Sequence, residues 1–93
     1  MNPNSLYMTE NFSNRDEKVN SFYNEMKANG YGSFPAILVF KDGSTVYVLN
    51  GNHRVKAARW ASINWVPLEY ASESDLPNWG FRNLEALQMA STY

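Results

Sequence analysis

Asn50-Gly51-Asn52-His53-Arg54-Val55-Lys56-Ala57-Ala58-Arg59 is the stretch that decides the fold. The β-formers Thr45-Val46-Tyr47-Val48-Leu49 precede it, and a run that favours helix follows. A strand that breaks at a glycine and turns straight into a helix leaves backbone N–H groups pointing outward at the helix start. Those orphan donors, with the positive end of the helix dipole, make an anion site. His53, Arg54, Lys56 and Arg59 fall in the first two turns, where the dipole alone favours acidic residues. A cationic helix start therefore points to a negatively charged ligand, with phosphate the first expectation.

Behind Gly51 the helix should run to about Ser62, with Val55, Ala58 and Ile63 toward the core. Ala57 and Ala58 are small enough for the helix to pack closely on a sheet. In front, Thr45 to Leu49 reads as the second arm of a hairpin. Its first arm, Ala36-Ile37-Leu38-Val39-Phe40, is nearly all apolar, as suits a strand buried on both faces. The Asp-Gly of Lys41-Asp42-Gly43-Ser44 makes the turn and gives Asp42 a structural role.

Further toward the N-terminus, Gly30 to Pro35 is a loop. A helix of roughly four turns precedes it, with Val19, Phe22, Tyr23 and Met26 on one face. Ser13 or Asn14 is its expected cap, Asp16 and Glu17 suit its first turn, and Lys27 and Gly30 end it. Ser5 to Thr9 suggests a short edge strand. On the other side, Asn64 to Tyr70 alternates as a strand, and Pro67, lacking an amide donor, places it at an edge or irregularity. Ala71 to Gly80 is polar and turn-rich. Asn83 caps a last helix, Leu84 to Ala90, that packs through Leu84 and Leu87.

The chain has 93 residues, enough for one small domain with one core, and its hydrophobic fraction of 44% argues against general disorder. No cysteine is present, which excludes a disulfide framework, a Cys-ligated zinc and a thiol nucleophile. No apolar run approaches the ~20 residues that span a bilayer. Met1-Asn2-Pro3-Asn4 has neither the basic start nor the apolar stretch of a signal peptide, so a cytoplasmic protein off the membrane is expected. The net charge of −1 leaves polyanion binding to a local patch and counts against direct DNA binding. His53 is the single histidine, which argues against a dedicated metal site. The tryptophans, Trp60, Trp65 and Trp79, read as core or rim packing in preference to base stacking.

The order helix, loop with Gly and Pro, strand, Asp-Gly turn, strand, Gly-x-His-Arg-x-x-Ala-Ala and strand with Val-Pro resembles the ParB/sulfiredoxin superfamily. The likeness is best over residues 34–70 of a single domain, 1–93. It implies an α+β fold, a small mixed β-sheet with packed helices, in which the box at the strand-to-helix turn holds nucleotide phosphates. The matching residues are Gly51, Asn52, His53 and Arg54, with Lys56 close behind. Gly51 would let backbone approach a phosphate, and Arg54 would contact its oxygens in bidentate fashion. His53 would donate to an oxyanion or, as the catalytic residue, transfer a proton. The implied cofactor is a nucleoside triphosphate with Mg2+, an ion that needs few protein ligands.

Sulfiredoxins place a cysteine where this chain has Asn52, so thiol-based sulfinic acid reduction is ruled out. Within these 93 residues the helix-turn-helix domain of chromosome-partitioning ParB proteins is not expected. Two functions follow. One is a nucleotide- or phosphate-binding domain in nucleic-acid metabolism, extending to a weak nucleotide hydrolase or nuclease. The other is a non-enzymatic interaction protein of phage or plasmid type that inhibits or redirects a host nucleic-acid enzyme. Glu10, Asp16 and Glu17 are the nearest candidates for a catalytic carboxylate, and no motif singles one out. Arg54→Ala is expected to weaken nucleotide binding and leave folding intact, with the guanidinium at the surface.

Overall fold

A computed structural model describes residues 1–13 and 15–91. A 3-10 turn at Pro3–Ser5 is followed by α1 (Glu17–Asn29), β1 (Ile37–Asp42), β2 (Thr45–Asn50), α2 (Asn52–Trp60) and β3 (Leu68–Tyr70). A 3-10 helix at Glu73–Trp79 and α3 (Leu84–Ala90) complete the order. The sheet runs β2-β1-β3, with β1 antiparallel to β2 and parallel to β3. This is an α+β fold built on a small mixed sheet.

The apolar run of β1 makes it the central strand, covered on both faces. On one face Ile37 and Val39, with Val46 and Val48 of β2, pack against Val19 and Met26 of α1 and Val55, Ala57 and Ala58 of α2. On the other, Phe40, Tyr47 and Leu49 meet Leu76 and Leu87. Each fully buried aliphatic side chain contributes roughly 1.5–3 kcal/mol against exposure. In the hairpin Val39 pairs with Val48 and Leu38 with Asn50, so Leu49 is one residue too many. Such a bulge bends its strand. Here it lies immediately before Gly51 and aims the strand end into the turn that starts α2.

Several elements differ from their sequence reading. The cap of α1 is Asp16, whose carboxylate accepts from Val19 N–H at 2.9 Å. Ser13 instead closes a preceding turn, its carbonyl accepting from Asp16 N–H at 3.2 Å, and Asn14 lies outside the described residues. The edge strand at Ser5 to Thr9 shrinks to bridge residues Tyr7 and Met8, with Tyr7 parallel to Tyr47, because Pro3–Ser5 coils and Thr9 turns toward α2. Helix α2 stops at Trp60, short of Ser62. Ser62 takes φ +58, and the amides of Ser62 and Ile63 return to the carbonyls of Arg59 and Ala58, a left-handed C-terminal motif.

Beyond α2, β3 covers only Leu68–Tyr70 of the expected strand, and ahead of it Val66 exchanges two backbone bonds with Met1. The stretch from Ala71 to Gly80, read as turn-rich, holds the 3-10 helix. Its start is a reciprocal capping box in which the Asp75 carboxylate accepts from the Ser72 amide and hydroxyl at 3.0 and 2.9 Å. Those bonds, backbone first, hold the Asp75 carboxyl below its ordinary value. Helix α3 has the expected bounds and its Asn83 cap, which accepts from Ala86 N–H at 2.9 Å. The expected packing of the tryptophans is not seen: Trp60, Trp79 and Trp65 are 36%, 42% and 62% exposed, and none packs on either core cluster. No described helix is long and apolar enough to cross a membrane.

Candidate functional site

Gly51 adopts φ +114, a backbone that L side chains rarely take. A Cβ there would stand 2.9 Å from both Arg54 Nη2 and Ile37 Cδ1, so conformation and space both demand glycine. No side chain caps α2. Its first helical bond runs from Val55 N–H to Gly51 C=O at 2.9 Å. Among the described residues no acceptor meets the amides of Asn52, His53 and Arg54. The start of α2 thus presents free donors at the positive end of its dipole.

The box residues diverge from this point. Asn52 is 3% exposed: its Oδ1 accepts from Thr9 N–H at 2.8 Å and its Nδ2 donates to Thr9 Oγ1 at 3.0 Å. Lys56 Nζ donates to the Phe12 carbonyl and lies 5.4 Å from the centre of the Trp60 ring. Arg59 donates from Nε to Pro3 C=O at 3.0 Å and from Nη2 to Leu6 C=O at 2.5 Å. Three polar residues of α2 therefore hold the backbone of residues 3–12 across the domain. The cationic character of the helix has this structural reason, which the dipole argument from sequence did not include.

Arg54 is half-buried, and its Nη1 donates to the carbonyls of Pro35 and Ala36 at 2.6 and 3.1 Å. Tyr31 Oη donates to the same Pro35 carbonyl at 2.7 Å. Burial pushes the Tyr31 phenol up, and the charge and hydrogen bond of Arg54 oppose that shift. The expectation that Arg54 is a surface group free of structural duty is therefore corrected: it organises the loop between α1 and β1. His53 lies in the first turn of α2. Its ring stacks on Phe12 with centroids 3.8 Å apart, and its Nε2 is 3.8 Å from Asp16 Oδ2. Asp16 thus serves two helices, capping α1 with one oxygen and facing His53 with the other.

Gly51, His53 and Arg54 line a crevice of ≈ 350 Å³ with Asn50, Pro35, Phe34, Phe22 and Lys18. Lys56 and Asn52 are outside it. Lys18 is the member missed from sequence, because only the packing of α1 against α2 brings it there. The wall carries two fixed cations, one histidine and no carboxylate, which suits an anion of phosphate size. A larger cavity of ≈ 600 Å³ lies between Tyr31, Phe34, Ile63, Trp65 and Pro67 and is lined by no charged residue. The smaller one holds the donors and is the better anion site. Among the described residues no three His, Asp or Glu side chains gather to hold a metal.

No family model matches the chain, and no curated protein is recognisably similar to it in sequence. Its backbone is similar to the C-terminally truncated chromosome-partitioning protein ParB from Caulobacter crescentus, solved in complex with CTP-γ-S. The TM-score is 0.64 at 18% identity, over 96% of this chain. The chain spans about half, 47%, of the length of that ParB chain. The likeness establishes a ParB-like fold.

Proposed function

We propose that the crevice at the start of α2 binds the phosphate end of a nucleotide, making this a nucleotide-binding domain of ParB-like fold. The observation that carries the reading is the pair of unpartnered amides at His53 and Arg54, two residues that line a crevice whose charged side chains are Lys18 and Arg54. A phosphate there would accept from the amides and meet Lys18 across the gap. Gly51, His53 and Arg54 contact it in this reading, while Asn52 and Lys56 act indirectly by fixing the N-terminal segment. The ParB of similar fold, solved with CTP-γ-S, adds support for a nucleoside triphosphate. Mg2+ would arrive with the nucleotide, with the Asp16 carboxylate 3.8 Å from His53 beside the crevice.

Turnover is the second reading, favoured by the Asp16 carboxylate behind His53, which can orient an imidazole for proton transfer. Calorimetric titration with CTP, ATP, GTP and ADP, with and without magnesium, tests binding, and Lys18→Glu tests the site. Lys18 is exposed, and among the described residues its ammonium is 5.8 Å from the centre of the Phe22 ring and bonds no backbone carbonyl, so its reversal should spare the fold. Saturable binding that Lys18→Glu weakens about tenfold or more is expected. Binding unaffected by that change, or no binding by any nucleotide, contradicts the reading. Phosphate release that His53→Ala abolishes while binding persists would establish the catalytic role.

A further inference from the structure

The two edges of the sheet are finished differently. Beside β2, Tyr7 closes the edge: its N–H donates to Val46 C=O at 2.8 Å and its C=O accepts from Val48 N–H at 2.9 Å. Beside β3 the matching closure lies ahead of the strand, where the Met1 amino group donates to Val66 C=O at 3.0 Å and Met1 C=O accepts from Val66 N–H at 2.9 Å, and it does not reach Leu68–Tyr70. Strand β3 meets β1 through the Pro67 carbonyl, which accepts from Ile37 N–H at 2.9 Å, and the Ala71 amide, which donates to Val39 C=O at 2.8 Å. Backbone groups alternate sides along a strand, so Leu68 and Tyr70 turn their N–H and C=O away from β1. Nothing described bonds to them there. Such an edge is a template for another strand.

Side chains around this edge say what kind of strand. Tyr70 is 59% exposed and Trp65 is 62% exposed, and the uncharged ≈ 600 Å³ cavity walled by Tyr31, Phe34, Trp65 and Pro67 opens just ahead of Leu68. Glu69, the middle residue of β3, is also exposed. A second copy of this chain pairing antiparallel about the middle of β3 would set Glu69 against Glu69, and like charges directly opposite are destabilising. The edge therefore favours a different chain with a basic residue at that place.

We infer that β3 takes an extended peptide of a protein partner as a fourth strand, with a large apolar side chain in the Trp65 cavity and a Lys or Arg opposite Glu69. Backbone bonds to Leu68 and Tyr70 supply affinity, and the cavity and Glu69 supply selectivity. This surface owes nothing to the nucleotide reading. Panning a displayed library of random short peptides on the full chain, then titrating a synthesised winner, tests it. Winners should pair a large apolar residue with Lys or Arg, and the bound peptide should slow hydrogen exchange at the Leu68 and Tyr70 amides. Trp65→Ala should weaken binding at least about tenfold. Glu69→Lys should weaken it about threefold, and a peptide with its basic residue changed to Glu should recover that loss. Both variants alter exposed side chains, and unchanged melting temperatures verify their folds. No enrichment, slowed exchange at the α2 crevice instead of β3, or a self-associated protein with these amides already protected would each overturn the inference.

Discussion

Gly51 concentrates the local physics of the turn. With φ +114 and both Arg54 and Ile37 2.9 Å from an added Cβ, Gly51→Ala is expected to destabilise the domain by ~2 kcal/mol, read by thermal melting. Arg54→Ala should also lower the melting temperature, because the Pro35 and Ala36 carbonyls lose a charged donor worth about 1.5–3 kcal/mol. It is therefore a poor probe of binding, and Lys18→Glu is the better one. Tyr31 gives a pH prediction. Burial raises its phenol above the ordinary 10.0, so the unfolded chain ionises first as pH climbs. Its contribution is complete below pH 10 and is lost as pH rises through the folded value. Tyr31→Phe should flatten the alkaline fall of the melting temperature, while costing ~1 kcal/mol throughout for the lost bond to Pro35.

At the level of elements, α2 is a clamp on the N-terminal segment. Asn52, Lys56 and Arg59 grip Thr9, Phe12, Pro3 and Leu6. Asn52→Ala leaves Thr9 N–H without its acceptor, and should cost about 1–3 kcal/mol and speed hydrogen exchange at Tyr7 to Thr9 ahead of the sheet. The hairpin, the break at Gly51 and α3 were legible in the sequence because each is set by neighbours: Asp42-Gly43 for the turn, Gly51 for the break, Asn83 for the cap. The 3-10 helix was not, since Ser72-x-x-Asp75 sits in a polar stretch where only the burial of Leu76 beneath β2 shows an element. The cations of α2 were legible as charge and not as partners. A lysine destined for a carbonyl reads the same as one destined for a phosphate, and the contacts with residues 3–12 are long in sequence.

Across the whole molecule, two layers of helix enclose one sheet, and the open surfaces include the crevice between α1 and α2 and the outer edge of β3. The α+β fold was legible from the order of elements around the Gly-x-His-Arg box. Lys18 was not, because it reaches the site only through packing of α1 on α2. The central claim is that the free amides at the start of α2 receive phosphate. Amide chemical shifts of the intact chain followed during addition of CTP with magnesium test it most directly. Phosphate bound at the start of α2 makes the largest changes fall on His53 and Arg54, with Lys18 following them, and inorganic phosphate moves the same amides more weakly. If a nucleotide binds and these amides stay still while those around Trp65 or β3 move, the claim is contradicted.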